Sequence, residues 1–103
     1  MKVAVVSTNG VDVNEHFGKA TRFLIYEIGS AGAKLLSEEK TESLSVGDPD
    51  HPFDQDRLSG VIKKIEGCER VYCTKIGDRP AAELKKLGIE PVIYEGPISE
   101  IKL

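Results

Sequence analysis

The chain opens with a compact apolar run, Lys2 to Thr8 (KVAVVST), whose consecutive valines suit a strand covered on both faces. The polar turn Ser7-Thr8-Asn9-Gly10 ends it. A second run, Arg22 to Ile28 (RFLIYEI), is aromatic and branched, and Gly29-Ser30-Ala31-Gly32 turns it back into Ala33 to Lys40, which predicts a hairpin of strands two and three. Charges along Ser37 to Lys40 mark strand three as a sheet edge. Thr41 to Phe53 holds Gly47, Pro49 and Pro52 with no period and predicts a loop carrying His51. From Asp54 the apolar positions Leu58, Val61, Ile62 and Ile65 recur at helical spacing, with Lys63-Lys64 near the end and Gly67 as the stop. Glu69 to Ile76 reads as strand four. Gly77-Asp78-Arg79-Pro80 opens a second helix that runs through Leu87 to the stop at Gly88, with Asp78 as its cap. Ile89 to Tyr94 reads as strand five, and the tail from Gly96-Pro97 predicts one or two helical turns packing Ile98, Ile101 and Leu103 back on the body.

A meander followed by crossover units implies an α/β protein, one domain over residues 1–103, with a five-stranded mixed sheet. Right-handed crossovers give the strand order 3-2-1-4-5 with strand two antiparallel, a ribonuclease H-like three-layer fold. Both main helices then share one sheet face, and the other, left to the short tail, is a candidate homodimer surface. The carboxyl ends of strands one, three, four and five lie along one rim, where open α/β sheets bind ligands. Four segments meet there: Asn9 to Thr21 with His16, Thr41 to Phe53 with His51, Lys75 to Pro80, and Glu95 to Pro97. Cys73 lies late in strand four, close to the same rim.

Composition narrows the function. Acids outnumber bases 17 to 14, so the chain lacks the basic footprint of a nucleic-acid binder. The opening MKVAVV is too short for a signal peptide or a membrane span, which leads us to expect a cytoplasmic protein with no membrane partner. Cys68 and Cys73 are then free thiols. Five residues apart on or beside one strand, at ~3.3 Å per residue, they are about 16 Å apart and expected on opposite faces, unable to bridge or to share one metal ion. Cys68, next to the helix stop, reads as a small buried hydrophobe.

The stretch VNEHFGKA holds the most specific chemistry, because Asn9-Gly10 already turns the chain and leaves His16-Phe17-Gly18 to be explained. Phe17 is expected to anchor this loop, and Gly18 to let its backbone come close to a ligand. A metal site would draw on His16, Cys73 and His51, since imidazole and thiolate suit iron, zinc, copper and iron–sulfur species. A stably held cluster normally wants four thiolates, and with one candidate thiol at the rim any cluster would be held loosely. The bland alternative makes Cys73 a core residue and both histidines solvated loop residues. Free N–H groups at the second helix start, together with Lys75, Gly77 and Arg79, and with Lys19 and Arg22 nearby, would favour an anion; a capped helix start with solvated charges explains them equally. Strand one carries no carboxylate, which argues against two-metal nuclease chemistry, and no Walker, GxGxxG or nucleophile-elbow pattern appears.

VNEHFGKATRFLIYE after the first strand and GCERVYCTKIGDRPAAELKKLGIEPV further on resemble the dinitrogenase iron–molybdenum cofactor biosynthesis family, in particular NifX-type proteins and the C-terminal domain of the NifB type. The resemblance spans nearly the whole chain and rests on a V-x-x-H-F-G loop and a Y-C-x-x-I-G segment followed by P-A-A and a G-I strand. It implies a small non-catalytic protein that transiently binds an iron–sulfur or iron–molybdenum-type cluster, or its precursor, and passes it between donor and acceptor proteins of cofactor assembly. It places His16 on or near the cluster, with Phe17 and Gly18 shaping the loop, and makes Cys73 a second candidate ligand. The rival expectation is an interaction module of the same fold that binds no metal.

Overall fold

The computed structural model describes residues 1–41 and 55–101, so the expectations for His51, for the rest of its loop and for Leu103 lie outside the described residues. Among the described residues seven strands run in chain order, β1 (Lys2–Val6), β2 (Asp12–Val13), β3 (Arg22–Gly29), β4 (Gly32–Lys40), β5 (Arg70–Cys73), β6 (Glu90–Ile93) and β7 (Gly96–Pro97). Helices α1 (Gln55–Lys64) and α2 (Asp78–Lys86) and the 3-10 turns Phe17–Lys19 and Ile98–Glu100 complete the described elements.

Five strands form a mixed sheet in the order β4-β3-β1-β5-β6. β3 is antiparallel to both its neighbours, while β1, β5 and β6 run parallel. Strand periodicity sorts the core into two layers. Ala4, Val6, Phe23, Ile25, Val71 and Cys73 face one side and pack against Leu58, Val61, Ile65 and Leu84 from the two helices. Val3, Val5, Leu24, Ile28 and Tyr72 face the other.

That second face is covered by the chain itself. β2 and β7 pair as a two-stranded antiparallel ribbon, Asp12 opposite Pro97 and Val13 opposite Gly96. The ribbon and the following turn lay Val13, Ile98 and Ile101 on the sheet. The Ile98 N–H donates to the Val11 carbonyl at 2.9 Å, and the Tyr94 hydroxyl to the Pro97 carbonyl at 2.7 Å. The centre of the face considered for a homodimer is thus closed within one chain.

Three local expectations change. Cys68 precedes β5 instead of standing in it, so strand alternation does not reach it, and it joins Cys73 on the helix side of the sheet instead of the opposite face. Both thiols are free and buried. Helix α2 begins one residue earlier than an Asp78 cap implies: Gly77 is extended (φ −71°, ψ 158°) and caps the helix without a side chain, its carbonyl accepting the Ala81 N–H at 3.1 Å. Asp78 sits in the first turn, where its charge still complements the helix dipole. At the sheet edge, the β3–β4 register slips between Ile25 and Tyr26, and the edge strand leaves Leu35 and Leu36 exposed.

Candidate functional site

At the carboxyl end of β1 the chain enters a turn held by short polar side chains. Gly10 takes φ 77°, the left-handed angle the Asn-Gly pair suits. The Asn9 carboxamide oxygen accepts from the Val11 and Asp12 amides at 2.8 and 2.9 Å, and the buried Ser7 hydroxyl accepts from the Gly10 amide at 2.9 Å. Asn14 reaches back to Thr8, accepting from its amide at 2.9 Å and donating to its hydroxyl at 2.8 Å. These bonds make the segment a folded unit whose exit direction is fixed before His16 is reached.

The next residues are fastened to the end of β5. The Thr74 N–H donates to the Glu15 carbonyl at 3.0 Å, and the Phe17 N–H to the Lys75 carbonyl at 2.9 Å. His16 lies between these two bonds. Its own amide donates to the Glu15 carboxylate at 2.8 Å, and its carbonyl accepts the Lys19 N–H at 3.1 Å, closing the 3-10 turn in which Gly18 is the middle residue. The His16 side chain is half-buried, and its imidazole has no hydrogen-bond partner among the described residues. Phe17 points inward, buried, with its ring tilted against Phe23 at 5.7 Å between centroids. It anchors the loop as expected of it.

The rest of the expected site divides. Lys75, Gly77 and Arg79 are exposed around the start of α2, within the same rim region. Cys73 is fully buried in the cluster that contains Phe17. Burial pushes its thiol up from 9.0 to about 11, against smaller opposing effects of the Lys75 and Phe17 backbone hydrogen bonds, so the neutral form prevails near pH 7. Arg22 is not a spare cation for an anion. Its guanidinium donates to the Thr8 carbonyl at 2.9 Å and the Ser7 carbonyl at 3.3 Å and pairs with Glu38 at 3.4 Å. Among the described residues no three His, Cys, Asp or Glu side chains converge into a ready-made metal nest. No described helix is long and apolar enough to cross a membrane.

Sequence reasoning passed over Glu15, Thr74 and Asn14. The signal for Asn14 was present in the run Ser7-Thr8-Asn9, whose short polar groups bond locally. Glu15 and Thr74 fasten the loop through their backbones, which no residue type announces, and the Glu15 carboxylate adds its bond to the His16 amide.

The model of the family described as dinitrogenase iron-molybdenum cofactor matches residues 1–102. The FeMo cofactor biosynthesis protein NifB of Azotobacter vinelandii is 36% identical over 89 residues, covering 86% of this chain and 18% of the relative. NifB of Herbaspirillum seropedicae is 40% identical over 90 residues, covering 87% and 17%. The chain therefore spans less than a fifth of these relatives. The crystal structure of PH0822 matches with a TM-score of 0.64 at 27% identity over 97% of this chain and 85% of that one. The NMR structure of a Thermotoga protein of the DUF35 family shares the fold, with a TM-score of 0.58 at 22% identity over 93% and 78%. With nearly its whole length matched, the chain belongs to the dinitrogenase iron–molybdenum cofactor family.

Proposed function

We propose that this chain is a non-catalytic carrier that transiently binds an iron–sulfur or iron–molybdenum-type cluster, or its precursor, as cargo and passes it between donor and acceptor proteins of cofactor assembly in the cytoplasm. The cargo class is supported by the family and by relatives named for FeMo cofactor biosynthesis. The strand order and helix placement support reading residues 1–103 as one ribonuclease H-like domain.

The observation that carries the proposal is the fastening of Glu15 and Phe17 to Thr74 and Lys75, which holds a half-exposed imidazole at the end of β5. His16 is the primary ligand. Phe17 and Gly18 shape its turn, and Lys75, Gly77 and Arg79 provide a polar, partly cationic border for an anionic cluster. Cys73 is a reserve ligand: a metal reaches its buried sulfur only by displacing a proton and opening the packing around it, and His51 would add an imidazole from its own loop. Few bonds suit a carrier, because an acceptor with more thiolates then removes the cargo.

The test is anaerobic mixing of the purified chain with an isolated iron–sulfur cofactor precursor, followed by gel filtration, iron determination and absorption spectroscopy. The chain should retain iron and colour, and His16→Ala should retain at least several-fold less. Full retention by His16→Ala removes His16 as a principal ligand. Cys73→Ser separates coordination, which changes the spectrum, from packing, which lowers stability alone. The burial of Cys73 favours the second reading, an interaction module that binds no metal; failure of the wild type to take up any cluster would establish it.

A further inference from the structure

The two edges of the main sheet are finished differently. At β6 the Glu90 and Tyr94 N–H groups donate inward, to the Glu69 and Cys73 carbonyls at 3.0 and 2.9 Å, so Pro91 stands at an outward position and removes a donor there. That edge is blunted. β4 is the other edge, nine residues long, and among the described residues no strand lies beyond it.

Which β4 groups face outward follows from β3. The Ile28 N–H donates to the Met1 carbonyl at 2.8 Å, on the β1 side, so the odd-numbered residues of β3 bond to β4. Their partners there are Gly32, Lys34, Ser37 and Glu39. Ala33, Leu35, Glu38 and Lys40 therefore turn their N–H and C=O groups outward, and the slip that leaves Leu36 unmatched in the register widens the middle interval from two residues to three. A regular strand, with pairing groups at every second residue, does not match that spacing. A second copy of β4 does.

We propose that β4 pairs antiparallel with β4 of a second copy of this chain, about a twofold axis between Leu36 and Ser37, and joins the two sheets edge to edge. Ala33 then lies opposite the second copy's Lys40 and Leu35 opposite its Glu38, so all four outward residues of each copy are paired. The side chains agree with this register. Lys34 and Glu39, partners of Glu27 and Phe23, share the helix side of the sheet, and each Lys34 meets the other copy's Glu39. The exposed Leu35 and Leu36 of both copies gather about the axis. A slide by two residues either way sets one bulge against regular strand and pairs only two of the four outward residues. A parallel, in-register pair would set each glutamate beside its own copy. β3 and β1 stand between β4 and the His16 loop at the end of β5, so pairing leaves both rims open, and the proposal stands whether or not they hold a cluster.

The test is sedimentation and amide exchange of the full chain between about 10 µM and about 1 mM. One strand pair is a small interface, so the dimer should form in the upper part of that range. The Ala33, Leu35, Glu38 and Lys40 amides should gain protection several-fold with concentration. Lys34→Glu or Glu39→Lys alone opposes like charges twice across the axis and should abolish association. An equimolar mixture of the two variants should restore it, a rescue that mere damage to β4 would not allow. A chain that stays monomeric at the highest concentration overturns the proposal. So does a dimer whose four outward amides stay unprotected, or a mixture of the two variants that does not associate.

Discussion

The amide of Phe17 donates to the carbonyl of Lys75 across 2.9 Å, and this bond joins the loop after β1 to the end of β5 with His16 one residue away. A backbone bond of this kind is worth only about 1 kcal/mol in net terms. It persists because the Phe17 ring, buried against Phe23, fixes the loop from below. Packing of one side chain thereby decides where its neighbour, His16, is presented.

Phe17→Ala should therefore act twice. Truncating a buried phenylalanine costs about 3 kcal/mol or more, and denaturant unfolding should show it as a lower midpoint at unchanged slope. The unanchored loop should also lose hydrogen-exchange protection at the amides of Phe17 and Thr74, while the strand amides of β1 keep theirs. Retained protection at both amides would mean that the backbone bonds hold the loop without the ring.

Cys73 gives a pH dependence of definite sign. Its thiol is pushed up to about 11 in the folded chain from 9.0, by desolvation, so between these values the folded state holds more protons than the unfolded one. Stability is fully present below pH 9 and falls as pH rises toward 11. A tenfold change in proton affinity is worth ~1.4 kcal/mol, which sets an upper figure of about 3 kcal/mol for this interval. Cys73→Val should fall less steeply than the wild type over the same range, and the difference between the two curves isolates the thiol from other groups that titrate there. Near pH 8 Cys73 stays a neutral, buried thiol, so its alkylation in the folded chain should be far slower than in the unfolded one.

The five-stranded mixed sheet and its two helices were legible because their apolar positions repeat with strand or helix period over several residues, as in KVAVV and in Leu58, Val61, Ile62 and Ile65. The β2–β7 ribbon was not legible: two residues a side have no period, and Val11 to Val13 and Gly96 to Pro97 read as loop and turn. Cys68 was misplaced because alternation was carried past the start of β5 into a turn where it has no force. Within the candidate site, residue type suggested the histidine and its aromatic anchor, while the fastening itself runs through the backbones of Glu15, Phe17, Thr74 and Lys75. The same blindness made Arg22 look like a free cation, since its true partners are main-chain carbonyls.

Arg22 should be the side chain outside the loop on which the loop's entry most depends. It grips the Ser7 and Thr8 carbonyls and Glu38 together, a fork that a lysine cannot reproduce. Arg22→Ala should cost about 1–2 kcal/mol and raise amide exchange through Gly10 to Asn14, and Arg22→Lys should recover less than half of the loss. Glu38→Gln, which touches only the partly exposed ion pair, should cost no more than about 0.5 kcal/mol. An equal effect from both sites would place the stabilisation in the ion pair and not in the carbonyls.

The tail offers a test of the second layer. Ile98 and Ile101 are buried against the sheet face formed by Val3, Val5, Leu24 and Tyr72, and the Ile98 amide is tied to Val11 at the start of the ribbon. Ile98→Ala should cost about 2–4 kcal/mol, the usual range for a buried isoleucine, since the rigid sheet beneath cannot collapse into the space. Ile98→Asp should go further and lift the tail, uncovering a contiguous apolar surface. Binding of a hydrophobic dye and a rise in sedimentation coefficient with concentration are then expected, while wild type shows neither through this face. If Ile98→Asp remains monomeric and dye-negative with its fold intact, the tail is a surface appendage instead of the third layer of the fold.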